Sequence, residues 1–260
     1  MGAATAGTLV AVVAVGVGLM SAANAHAAPA PGAPPRVLNI VRTRLKPRTA
    51  SAYATLENQI VRGYERAKVR LYWICLQSPK DPTDVLYLNL HESAEAADRA
   101  RTIYQESVPR HTDLVAMQDR LHDLTAATTS TLTTRRDDVD RPPEDADFAT
   151  MRVLRVATFQ VRPGHEGNFL NAIRTSHAKE GSWLVYEAND ASTYALITLK
   201  RTRLNRRDGP PVPRALRRLK GAYVSVETKT YEVRPLMSHV PREFAAANPQ
   251  FWRTAVAATH

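Results

Sequence analysis

One cysteine, Cys75, stands in the 260 residues, so no internal disulfide can staple the fold. It lies in the apolar run LYWICL, where a thiol reads as a small buried hydrophobe rather than a nucleophile. Two phosphate-cradling loops, G-x-x-x-x-G-K-S/T and G-x-G-x-x-G, are missing, as are the G-x-S-x-G elbow and the C-x-x-C pair. Those absences argue against nucleotide-phosphate chemistry and serine-triad hydrolysis. The stretch HEGNF begins like the zinc motif H-E-x-x-H, but Phe169 stands where the second histidine belongs, so no metal is expected there.

Charge is also missing from the start of the chain, where no Asp, Glu, Lys or Arg precedes Arg36. Leu9 to Met20 form an apolar run, followed by the small-residue triplets Ala23-Asn24-Ala25 and Ala25-His26-Ala27. An h-region before an A-x-A site reads as a signal peptide over 1–27, and the run is short for a membrane span. The chain is therefore expected to be exported, periplasmic or secreted in a bacterium, without a stable span after cleavage. An uncleaved N-terminal anchor is the alternative. APAPGAPP, 28–35, then makes a stiff Ala/Pro spacer.

The net charge of +10 is concentrated. Lys200 to Lys220 hold nine bases and one acid, whereas 137–147 hold six acids and one base. The basic stretch is broken by GPPVP and lacks the aromatics that stack on bases, so no nucleic-acid partner is expected. Arg214, Arg217 and Arg218 are instead candidates for contact with an anionic surface, either lipid or cell-wall polymer.

The chain repeats itself. At a constant offset of 116, RVLNIVRTRLKPRTASAY lies over RVLRVATFQVRPGHEGNF. Strand character in 37–45 is followed by Tyr53, Leu56, Ile60 and Tyr64 at helical spacing. Strands are expected over 69–77 and 85–91. A helix capped by Ser93 and broken at Pro109 follows, then a threonine-rich strand over 128–134. The second copy gives a strand over 152–161, a helix over 166–179, strands over 183–188 and 193–200, a short helix near 214–220 and a strand over 223–233. Each copy reads β-α-β-β-α-β, the split βαβ or ferredoxin-like motif. The expected division is unit 1 over 36–136, an acidic linker over 137–147, unit 2 over 148–236 and a tail over 237–260, pinned by Phe244, Phe251 and Trp252. In 85–91, Leu86, Leu88 and Leu90 share one face, which suits helix packing. Val85, Tyr87, Asn89 and His91 share the other, which suits a sheet interior or a pocket.

The strand, the base-Pro corner, the helix with an early aromatic and the following hairpin resemble the dimeric α/β-barrel superfamily. That group includes antibiotic-biosynthesis-monooxygenase-like and NIPSNAP-type proteins. The resemblance covers roughly 36–134 and 152–236. It implies an α+β fold in which two tandem ferredoxin-like units pack sheet to sheet as an intramolecular α/β barrel. It implies function less directly, because related oxygenases place Asn, Trp, Tyr and His around an aromatic substrate or haem.

Residues of those types fall on both copies. His177 follows Phe169 and Ile173 along one helix face and is a candidate base or haem ligand. His91 could accept a proton and Asn89 could orient a carbonyl. Tyr87, Trp73, Trp183 and Tyr186 are candidate ligand-contacting residues. Three functions follow: a barrel that binds a small apolar or aromatic ligand, a cofactor-independent or haem-dependent monooxygenase-like enzyme, and a module for anionic surfaces.

Overall fold

Eight antiparallel strands close into a barrel. The computed structural model describes residues 33–142, 146–176, 181–202, 212–219 and 221–253. In the first unit these are β1 (Val37–Leu45), α1 (Ala50–Ala67), β2 (Ile74–Gln77), β3 (Asp84–His91), α2 (Ala94–Ser107), α3 (Thr112–Asp123) and β4 (Thr125–Arg135). The second holds β5 (Val153–Val161), α4 (Glu166–Arg174), β6 (Leu184–Ala188), β7 (Thr193–Lys200), α5 (Arg214–Arg218) and β8 (Tyr223–Val233). Two short helices end the described chain, α6 (Arg242–Ala246) and α7 (Pro249–Arg253). The expected leader and spacer up to residue 32 lie outside the described residues. No described helix is long and apolar enough to cross a membrane.

Each unit orders its strands as a ferredoxin-like sheet, β4-β1-β3-β2 and β8-β5-β7-β6. The seams between units are short. Leu76 and Gln77 of β2 pair with Val233 and Glu232 of β8, and Thr133 to Arg135 of β4 pair with Ala188 to Tyr186 of β6. The barrel interior is filled from both sheets by Leu38, Leu88, Leu154 and Ile197. Phe148, Met151, Phe244 and Trp252 join the same core. The Trp252 indole donates to the Ala149 carbonyl at 2.8 Å, fixing the tail.

The leucine face of β3 therefore points into the barrel and the mixed face points at the helices, the reverse of the expectation. In a closed barrel both strand faces are buried, so alternation alone does not say which is which. The second strand is also shorter than expected. Val69 and Leu71 pack against α1 and α3 instead of joining the sheet, and Trp73 makes only an isolated bridge with His239. That bridge has a twin, Arg141 with Trp183. The Arg136 and Arg234 amides likewise donate to the carbonyls of Val185 and Cys75, both at 2.8 Å. The duplication thus runs past β4 and β8 into the segments that follow them. The acidic segment begins as one of these, with Val139 and the side chain of Asp140 buried.

The corner after β1 repeats closely. Arg48 (φ 65°) and Gly164 (φ 80°) occupy the same left-handed position, so the first corner is as tight as the second despite lacking glycine. α1 is long because its stripe of Tyr53, Leu56, Ile60 and Tyr64 is covered by both the sheet and α3. Gly63 allows the crossing: a Cβ there would lie 2.5 Å from Leu114 Cδ2. α4 stops at Arg174, well short of the expected residue 179, and 177–180 lie outside the described residues.

Candidate functional site

A cleft of about 530 Å3 lies between α1, α2 and the helix-facing side of β4-β1-β3. It exists because α2 sits loosely. Of its residues only Ala96 is buried, and Asp98 and Arg101 pair with each other at 2.9 Å along its surface. Tyr64, Tyr72 and Trp73 give the cleft aromatic walls, and Asn39, Asn89, His91 and Ser130 give it a polar floor.

The floor is a hydrogen-bonded ladder across three strands. Ser130 Oγ donates to Asn39 Oδ1 at 2.8 Å, Asn39 Nδ2 donates to Asn89 Oδ1 at 3.4 Å, and Asn89 Nδ2 donates to the Tyr72 carbonyl at 3.1 Å. Behind the aromatic wall His239 packs on Tyr72 and Trp73, with ring centroids 5.2 Å apart in each case. Burial lowers the His239 pKa, and its Nδ1 lies 2.6 Å from the Leu71 carbonyl, so the neutral ring donates there. The Trp73 indole donates to the Met237 carbonyl at 2.8 Å, locking the wall in place.

One residue pair further along the same helix–sheet interface lies a buried acid. Tyr87 donates to Glu57 Oε1 in a very short hydrogen bond, and the Tyr53 hydroxyl lies 2.6 Å from that of Tyr87. Glu57 Oε2 has no hydrogen-bond partner among the described residues. Burial raises the Glu57 pKa to about 7, against the lowering effect of the Tyr87 bond. Burial also pushes the Cys75 thiol up, so that thiol is inert.

A second cavity of about 160 Å3 opens inside the barrel, at the end away from Trp252. Asp84, almost wholly buried, is gripped there by Arg42 Nε at 3.0 Å and by Lys229 in a shorter contact, and Arg42 also reaches Glu227 at 2.7 Å. The opposite wall carries Thr129, Thr131, Thr133, Thr158 and Thr193.

The structure divides the residues picked from sequence. Asn89, His91 and Trp73 share the first cleft. Tyr87 lies on the same strand face but belongs to the Glu57 cluster. Trp183 lines neither of these two cavities: it is buried in the core of unit 2, with the Arg141 guanidinium 5.5 Å from its ring. Tyr186 points into the barrel and donates to the Pro35 carbonyl at 2.9 Å, because its position alternates with that of Val185 on the helix side. His177 lies outside the described residues. Arg214, Arg217 and Arg218 are exposed on α5, anchored by the buried Leu216, while 203–211 lie outside the described residues. No three His, Cys, Asp or Glu side chains gather as a metal site among the described residues.

Glu57 and His239 escaped the sequence reading. Glu57 had a signal: it falls on the apolar stripe of α1, and the aligned residue of the second copy is Ile173. His239 lay in what read as a tail, and only the closed barrel brings it to Trp73.

No sequence-family profile matches the chain, and no curated protein sequence matches it. Solved structures share its architecture. An anthrone oxidase-like protein superposes with a TM-score of 0.52 at 13% identity, covering 80% of this chain and 95% of its own. A candidate monooxygenase from Fusobacterium nucleatum gives 0.52 at 13% identity over 77% and 93%. A mutant chlorite dismutase from Candidatus Nitrospira defluvii gives 0.45 at 10% identity over 78% and 94%. At these identities the likeness is one of fold. The chain shares the fold of the first two proteins, and its eight strands form one closed barrel from two ferredoxin-like units.

Proposed function

We propose that the cleft of the first unit binds a small aromatic molecule carrying hydroxyl or carbonyl groups. The observation that carries this reading is the pairing of aromatic walls, Tyr64, Tyr72 and Trp73, with the Asn39–Asn89 ladder in one cleft of about 530 Å3. Flat rings stack or pack edge-on against such walls, while paired amides offer both a donor and an acceptor to the ring substituents.

The same site supports a monooxygenase-like activity without a resident cofactor. The substrate class would be an electron-rich phenol or anthrone, the class suggested by the anthrone oxidase-like neighbour. Such a molecule becomes reactive toward oxygen once it loses a proton. His91 lines the cleft and would take that proton, and Asn89, two residues away on the same face of β3, would orient the resulting oxyanion. In the overall reaction a ring methylene and O2 give a ring carbonyl and water.

The test is a titration of the protein with 1,8-dihydroxyanthrone, followed by tryptophan fluorescence and an oxygen electrode. Saturable quenching that Asn89→Leu weakens is expected for binding. Oxygen uptake that His91→Ala abolishes is expected for the enzyme. Quenching without uptake leaves a binding protein, and the absence of both overturns the reading. A Soret band on mixing with haem, lost on His177→Ala, would move the function to the haem-dependent class.

A further inference from the structure

A line of hydroxyl groups runs from the buried carboxyl of Glu57 toward the exposed Thr128. Tyr87 donates to the carboxyl, and Tyr53 lies 2.6 Å from Tyr87. Because the Tyr87 hydrogen is committed to Glu57, Tyr53 donates to the Tyr87 oxygen. The buried Thr43 stands next along this line, near enough to the Tyr53 hydroxyl to favour its ionised form against the burial that raises its pKa. Thr43 Oγ1 lies 3.4 Å from Oγ1 of Thr128, which is exposed on β4. That last link is the loosest, and it is also the one that solvent can bridge.

The second unit has the same backbone and none of these groups. Thr43 pairs with Thr128 across β1 and β4, and its counterpart Phe159 pairs with Val226 across β5 and β8. Tyr53 and Glu57 fall on Phe169 and Ile173 in the repeat. Leu196 takes the place of Tyr87, as the registers of β3 on β1 and of β7 on β5 show. All five positions of the path carry hydrocarbon in unit 2, and all five carry a hydroxyl or carboxyl in unit 1.

We propose that Glu57 is a proton-binding site that exchanges with solvent along Thr128, Thr43, Tyr53 and Tyr87, and that it compensates the charge of an anionic ligand in the adjoining cleft. The second part rests on the cleft reading above. When a bound phenol passes its proton by way of His91 to solvent, the Glu57 carboxylate takes one from solvent along the path. Each hydroxyl passes one proton on and receives one, so the unit gains an oxyanion, loses a carboxylate and keeps its net charge. Burial favours the neutral acid, which makes the uptake possible near neutral pH. The coupling is electrostatic and needs no contact between Glu57 and the ligand. The charge of Glu57 already acts on Tyr64, which lines the cleft two helical turns along α1. The other ionisable groups around it are Tyr53, Cys75 on β2 and Tyr87 on β3, with Arg234 acting on Cys75.

Infrared difference spectra of the whole chain test the proton site without any ligand. A carbonyl band of a protonated buried carboxyl is expected to grow as pH falls from 8 to 6 and to be missing in Glu57→Gln. Its hydrogen–deuterium exchange is expected to slow by about tenfold or more in Tyr53→Phe, because a carboxyl cut off from the path exchanges only through local opening. Phe169 shows that the fold accepts phenylalanine at this position, and Thr43→Val gives a second interruption. A band that persists in Glu57→Gln, or exchange as fast in both interrupted variants as in the native chain, overturns the proposal.

The coupling is read by calorimetry with 1,8-dihydroxyanthrone at pH 8 in two buffers of different ionisation heat. Native protein is expected to release fewer protons on binding than Glu57→Gln. Equal release overturns the compensation. Failure of the anthrone to bind overturns the cleft reading and the compensation with it, while the exchange rates still decide the path.

Discussion

Under α1 the sheet and helix bring together Thr43, Tyr53, Glu57 and Tyr87; under α4 the same positions hold Phe159, Phe169, Ile173 and Leu196. Phe169 packs on Phe159 and on Tyr194 with ring centroids 5.1 Å apart in each case. The second unit shows what the corner needs in order to fold: hydrocarbon of roughly the right volume. The polar set of the first unit is then an expense, since a buried carboxyl costs stability unless its partners are complete. The barrel mouth repeats the lesson. Arg42 and Asp84 on the first unit's strands, with Glu227, Lys229 and Tyr231 on β8, face a wall of threonines at the equivalent register.

That contrast can be broken from either side. The largest effect is expected from Ile173→Glu, which puts a carboxyl into unit 2 with no hydroxyl to receive it. It should cost on the order of 5 kcal/mol at pH 8 in urea denaturation, and less at pH 5, where the group is neutral. Equal costs at the two pH values would mean that burial is not what separates the units. Asp84→Thr copies the threonine wall and leaves Arg42 and Lys229 with only the half-exposed Glu227 between them. A loss of about 4 kcal/mol is expected, and a neutral result would show that solvent already carries those charges.

Glu57→Gln should act in the opposite direction. The folded chain holds the Glu57 proton up to about pH 7, whereas the ordinary value is 4.5. The resulting stability is full below 4.5 and is lost as pH rises through about 7. The variant is thus expected to match the native chain at pH 4 and to exceed it by up to about 3 kcal/mol at pH 8. Parallel stability curves at all pH values would remove Glu57 as the titrating group. The smallest change is Arg48→Gly, which gives the first corner the residue of the second. A gain of about 1 kcal/mol is expected from relief of the left-handed strain, and no gain in thermal melting would show that Arg48 makes up the difference elsewhere.

Much of the fold was legible because the repeat is written in its corners. Pro47 and Pro163, Tyr53 and Phe169, and Trp73 and Trp183 mark equivalent points, and the strand order follows from them. Which face of each strand looks inward was not legible, since a closed barrel buries both. The cleft was half legible: Asn89, His91 and Trp73 stood out by type, while Asn39, Tyr64 and Tyr72 became a site only through the packing of α1 and α2 against the sheet. Tyr186 misled because aromatic character does not say which side of a sheet a residue takes. Glu57 was hidden by its own neighbours, being followed by Asn58 and Gln59 in a stretch that looks like a solvated helix face.

The seams between the units have a further meaning. Only five strand-register pairs join β2 to β8 and β4 to β6, yet each unit needs the other to cover its leucine face. The two halves are thus complementary pieces rather than independent bodies. Expressed as separate polypeptides, they are expected to pair with each other and restore the barrel, which gel filtration of the mixed halves would read. Each alone presents an apolar sheet with raw edges, ready to pair with a copy of itself.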